Sequence, residues 1–212
     1  MKTWTDDNPK AGLLARKRDA ILAAARRQFL AHGYGGTSME AVAADAGVSI
    51  MTLYRHAESK DDLFAATVAV ACHTEGEPAP DLAAIPLREL LTATALAFQQ
   101  KLSSPETTAL LRAVIAEQGR FPELATIAYD ATLGHLAGFV ADALHQSPQS
   151  RHLDARTRTA FASGFVDDLF GADLLRTLLG LAAPTSAIQK RRAEAATGRI
   201  LASLSARVAA RA

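Results

Sequence analysis

The chain has 212 residues, with 23 Lys+Arg against 22 Asp+Glu, so its formal net charge is only +1. That balance excludes a basic coat for wrapping nucleic acid; any DNA binding must use local charge. Hydrophobic residues make up 49%, which excludes a disordered chain, and the single cysteine, Cys72, excludes an intramolecular disulfide and a cysteine-cluster metal site.

The opening segment, Met1 to Gly12, is polar and lacks the apolar core of a signal peptide. The longest nearly apolar run, Leu63 to Cys72, is about half a membrane span. These features predict a soluble cytoplasmic protein. Aromatic residues are 6%, alanine and leucine are abundant, and β-branched runs of strand length are missing. The expected class is all-α, with about nine helices.

The first helix is expected over 16–31. Ile21, Leu22, Ala25, Phe29 and Leu30 form its apolar stripe, and Gly33 stops it. Thr37 to Glu40 reads as a capping box opening a short helix that ends near Ala46. Gly47 supplies a left-handed turn, and Ser49 caps a second short helix running to about His56. Ser59 caps a third, with Asp61 and Asp62 in its first turn, ending near His73. Thr74 to Pro86 is a loop. Further helices follow at about 87–102, 105–118, 122–146, 155–180 and 185–209, with a break or bend at Gly171. The alternating apolar faces of 122–146 predict an interior helix.

The two short helices over 37–56 have the grammar of a helix-turn-helix. Ala43 is small where the helices cross, Gly47 tolerates positive φ in the turn, and Val42, Val48 and Leu53 are apolar pins. Many helical hairpins share this spacing. The wider pattern is more specific: Gly33-Tyr34, Thr37, Val42-Ala43, Ala46 to Ser49, Leu53-Tyr54, Ser59-Lys60 and Leu63 together resemble the DNA-binding domain of the tetracycline-repressor (TetR) family. Ala57 departs from that pattern, where the family usually has Phe; so does the apolar pair Ile50-Met51. Downstream, Leu111 to Glu117 and Arg120 to Leu124 are similar to the AefR-like C-terminal domain of the same family. The resemblance implies a helix-turn-helix domain over 1–60 and a ligand-binding and dimerisation domain over 61–212.

On DNA the second short helix would be the reader, lying in the major groove. Ser49 and Thr52 can donate to phosphates or base edges. Ile50 and Met51 cannot, and would favour thymine methyl groups, unless one of them packs inward. Tyr54, His56 and Lys60 resemble the family's phosphate-contacting positions, and Lys60 and Thr37 lie near helix starts that favour anions. Residues 10–27 hold six basic residues to one acidic, a second possible phosphate surface or simply a solvated face.

One such helix reads few base pairs, so a homodimer on a near-palindromic operator is expected. The resemblance places its interface on the last two helices. Two stripes there, Ala193–Ala196–Thr197–Ile200–Leu201–Leu204–Val208 and Phe161–Gly164–Phe165–Asp168–Leu169–Ala172, are interface candidates or else plain core. The resemblance also implies an effector cavity. Phe98, Leu102, Leu111, Ile115, Phe121, Tyr129, Leu133, Leu136 and Phe165 are candidate lining, with Arg112, Tyr129, His135 and Asp168 as polar anchors; each has an ordinary core or capping role as its alternative. No HExxH, GxSxG, P-loop or GxGxxG pattern is present, and no cofactor or metal is expected. The leading expectation is a ligand-responsive regulator that acts as a repressor. The alternative is an all-α binding protein or enzyme that keeps the fold without using the reader.

Overall fold

The computed structural model describes residues 9–72 and 85–209, with side-chain surroundings for 12–71 and 85–207. The expectations for Cys72 and Val208 side chains, for Lys10, and for the loop up to residue 84 lie outside this set. Among the described residues there is no strand. The helices are α1 (Pro9–Gly36), α2 (Met39–Asp45), α3 (Ile50–Tyr54), α4 (Lys60–Cys72), α5 (Leu87–Leu102), α6 (Pro105–Glu117), α7 (Glu123–Tyr129), α8 (His135–Gln146), α9 (Ala155–Phe170), α10 (Ala172–Leu178) and α11 (Ser186–Ala209). All nine expected helices are present. Two of them are interrupted: 122–146 by a π turn at Asp130–Gly134, and 155–180 at Gly171.

The described residues divide into two compact units. One is drawn from 1–70 and 109–128, the other from 71–108 and 129–212. The first unit is built on the α1 stripe. Ile21, Leu22, Ala25 and Phe29 are buried together with Val42, Leu53, Leu63 and Phe64. Leu30 is not; it lies off the stripe and is exposed. At Gly33 the backbone leaves helical geometry (φ 68°, ψ 176°), which is the expected stop, and one further turn reaches Gly36.

The cap of α2 is Ser38 rather than Thr37. Ser38 is extended, and its hydroxyl accepts from Ala41 N at 3.1 Å. Thr37 is buried, and its hydroxyl donates back to Gly33 O at 2.8 Å. Two adjacent hydroxyl residues could each cap, and burial of Thr37 decides between them. Ser49 and Ser59 cap as expected, accepting from Thr52 N and Asp62 N.

In the second unit α5 and α9 pack along α11, and α8 packs along α9. Ala193, Ala196, Thr197, Ile200 and Leu204 are buried within the chain's own core, so this stripe is not an exposed interface. Two polar contacts pin α5 to α11: Thr92 to Thr197 through their hydroxyls at 3.2 Å, and Gln99 Nε2 donating to Gln189 O at 3.0 Å.

The stretch Glu123–Gln146 is long and apolar enough to cross a membrane by length and composition, yet only 28% of it is buried here. It is therefore not the interior rod that its apolar faces predict. Its buried positions are Leu124, Ala128, Thr132, Leu136, Val140, Ala143 and Leu144, with a step of four from Leu124 to Val140. An uninterrupted α-helix would drift around its axis at that step. The wider π turn, with i→i+5 bonds, slows the rotation and offsets part of that drift.

Candidate nucleic-acid interface

Two short helices meet at a tight turn. Gly47 has φ +65°, and the reversal is closed by Gly47 N donating to Ala44 O (3.1 Å) and Val48 N to Ala43 O (3.0 Å). A side chain at that φ would press Cβ on the carbonyl that follows. Val42 and Leu53 are fully buried between the helices, and Ala43 and Ala57 nearly so. Of the three pins expected, Val42 and Leu53 are in place while Val48 is only half-buried, and Ala57 is enclosed despite its small side chain.

The opposite side of α3 faces out. Met51 is 65% exposed and Tyr54 43%. Ile50 is half-buried, so Met51 is the member of the apolar pair that projects. Ser49 and Thr52 stand at the leading edge with their hydroxyl oxygens 2.9 Å apart. His56 is half-buried. Arg55, which is not among the residues expected at the interface, is exposed at the C-cap of α3. Its signal was available: a guanidinium directly following the projecting Tyr54.

Thr37 and Lys60 differ from expectation. Thr37 is buried, with its hydroxyl already used. The Lys60 ammonium donates to Tyr34 O at 3.0 Å and Thr37 O at 3.3 Å, and lies 4.3 Å from the centre of the Tyr34 ring. It bonds carbonyls in and just after the last turn of α1, where a cation is favoured, instead of pointing into solvent. Arg27 is also committed. Its guanidinium donates to both carboxylate oxygens of Asp45, at 2.9 and 3.2 Å, and Gln28 adds a third bond at 3.2 Å. The Arg27 bonds, then Gln28, hold the Asp45 carboxyl below its usual range, and Asp45 in turn raises Arg27.

The effector candidates fall in both units. Leu111, Arg112, Ile115 and Phe121 belong to the first; Phe98, Leu102, Tyr129, Leu133, Leu136, His135, Phe165 and Asp168 belong to the second. Phe98, Leu102, Leu136 and Phe165 are buried; Leu111, Phe121 and Leu133 are half-buried. Tyr129 (58%) and Ile115 (56%) are exposed, as are Arg112, His135 and Asp168. The anchors expected on buried faces are thus at the surface. For His135 the π turn shifts the buried row to Thr132 and Leu136. Asp168 lies at the rim of the Phe165–Leu169 face, paired with Arg199 at 2.6 Å. Phe165 and Asp168 share a surface groove between α9 and α11 with Phe161, Gly164 and Arg199.

A capped short helix on a glycine turn, pinned to a helix that crosses it, has the form of a helix-turn-helix DNA-binding domain. Residues 21–67 match the model of bacterial regulatory proteins of the tetR family, and residues 89–208 match the C-terminal domain of AefR-like transcriptional repressors. The chain belongs to the tetR family and is a transcriptional regulator of that family. Comparison with curated proteins returned no match. Among solved structures, a TetR-family transcriptional regulator from Mesorhizobium loti is 25% identical, with a TM-score of 0.63 over 89% of this chain and 96% of that one. The flavonoid-responsive regulator FrrA is 29% identical, with a TM-score of 0.56 over 89% and 97%. A TetR regulator from Agrobacterium tumefaciens shares the fold at 20% identity and a TM-score of 0.58, over 88% and 92%.

Proposed function

We infer that this chain works in the cytoplasm as a homodimeric repressor, held on a near-palindromic operator and released by a small, largely apolar effector. The observation that carries the DNA half is the outward face of α3, where Met51 and Tyr54 project beside Ser49, Thr52 and Arg55. Met51 reads a thymine methyl group, with Ile50 at the margin of the contact; Ser49 and Thr52 bond base edges or phosphate. Tyr54, His56 and Arg55 contact the backbone and fix register. Thr37 and Lys60 take a different part from the phosphate role that their helix-start positions and the family resemblance suggest: they build the seat of α2 and α4.

Pairing uses the outer faces of the last two predicted helices. The inner stripe of α11 is spent on its own core, which leaves Ala160, Ser163 and Gly164 on α9 and Leu175 and Leu179 on and after α10 exposed. Small residues allow close helix approach, and the leucines supply apolar area to bury. The effector reading draws on the family and on FrrA, whose description names flavonoids. It favours a small aromatic compound with a few hydroxyls, set against apolar side chains such as Phe98, Leu102 and Leu133.

The test is fluorescence anisotropy of the full-length protein on its own upstream DNA, then with a flavonoid panel. The expected result is saturable binding to one site, with affinity lowered by at least one member. Binding that is indifferent to sequence would contradict the operator reading. Specific binding that no member weakens would contradict the effector class.

A further inference from the structure

The Lys60 ammonium is part of a larger cluster within the first unit. Tyr34 is nearly buried at its centre, and its hydroxyl donates to Asp61 Oδ1. Phe64 meets its ring edge-on at 5.5 Å and Phe29 stacks at 6.0 Å. The remaining side is covered by Phe121, 4.9 Å away at 66°, which also lies 6.0 Å from the Lys60 nitrogen. Phe121 comes from the turn between α6 and α7, far along the chain, yet it packs with the reader. The main chain makes room for it. A Cβ on Gly35 would stand 3.2 Å from the Phe121 ring, and one on Gly33 would collide with the Glu117 carboxylate. Arg120 lies over the other ring partner of this corner, 5.2 Å from the Phe121 centre.

We propose that Phe121 is a positioning residue for DNA binding, acting through Tyr34 on Lys60. Its ring holds Tyr34 edge-on. Tyr34 then presents its carbonyl and its π face to the ammonium. Lys60 in turn ties the start of α4 to the turn before α2, and so fixes the angle at which α2 and α3 are offered. An aromatic ring is required at 121, because edge-to-face packing and the attraction of a cation to a ring face both depend on the ring quadrupole. A leucine keeps an apolar side chain there, though a smaller one, and loses that geometry.

The inference rests on the DNA-binding reading only for its second readout. The first is the acylation rate of each lysine, measured by mass spectrometry on the full-length protein, wild type against Phe121→Leu and Phe121→Tyr. Lys101 and Lys190, both exposed, serve as internal references. Lys60 is expected to label more slowly than either in the wild type. In Phe121→Leu it should label about three- to tenfold faster while the references stay unchanged, and Phe121→Tyr should restore protection. DNA affinity should fall by a similar factor in Phe121→Leu and return in Phe121→Tyr. Unchanged Lys60 labelling in Phe121→Leu, or equal acceleration at all three lysines, overturns the proposal. So does exposed Lys60 with undiminished DNA affinity. A wild-type protein that binds no DNA refutes the operator reading, and the labelling result then decides the Phe121–Lys60 coupling alone.

Discussion

Met51 and Lys60 show how single side chains divide the work. Met51 projects from α3 with no hydrogen-bonding atom beyond a weak sulfur, and the base feature proposed for it is therefore the thymine methyl group. Met51→Ala should relax preference at one or two base positions while leaving most of the affinity, measured as a binding-site profile from a randomised DNA pool. An unchanged profile would mean that Met51 does not read the operator. The family resemblance and a helix-start position put Lys60 at a phosphate, and the structure turns it onto two carbonyls and a ring. Sequence could place it at a helix start but could not show that Tyr34 folds over the same spot, 26 residues earlier. Asp45 carries a pH signature. Its carboxyl titrates lower in the folded chain than in the unfolded one, because Arg27 donates to it. Its contribution is therefore complete above the unfolded value, about 3.9, and is lost as pH falls through the folded value. Asp45→Ala should lower Tm slightly at neutral pH, by an amount that shrinks toward zero in acid; a Tm difference constant with pH would contradict this.

At the scale of elements, the turn between α2 and α3 is the most constrained piece of the first unit. Gly47→Ala places a Cβ at φ +65° and should cost about 1–2 kcal/mol of unfolding free energy. Ser49→Ala removes the cap of α3 and should cost about 1 kcal/mol. Both are read from urea melts, and a cost near zero for Gly47→Ala would mean that the turn relaxes to another geometry. This region was legible in the sequence, because caps and positive-φ glycines leave local marks. The cap of α2 was missed by one residue, since Thr37 and Ser38 are both capping types and only burial separates them. The π turn at Asp130–Gly134 left no local mark. Its effect was to rotate His135 away from the face that a continuous helix would give it, and to bring Thr132 onto that face instead. Any reading of buried polar anchors from a 3.6-residue period fails beyond such a turn.

At the scale of the whole molecule, the net charge of +1 fits a protein that meets DNA through two small surfaces. The family was legible because its motifs are local and ordered. The division into units was less so: residues 109–128 join the reader's unit, although they lie beyond a helix that packs elsewhere. The proposed dimer needs the exposed leucines near α10. Leu175→Glu with Leu179→Glu should weaken self-association at least tenfold by sedimentation, since each buried leucine is worth roughly 1.5–3 kcal/mol; an unaltered dimer would move the interface elsewhere. The central claim is sequence-specific operator binding by α3. Its most direct test is the anisotropy titration of the purified full-length protein on its own upstream DNA, against a scrambled duplex of equal length at physiological salt. Binding to the upstream site is expected to be at least a thousandfold tighter. Equal affinity for the two duplexes would contradict it.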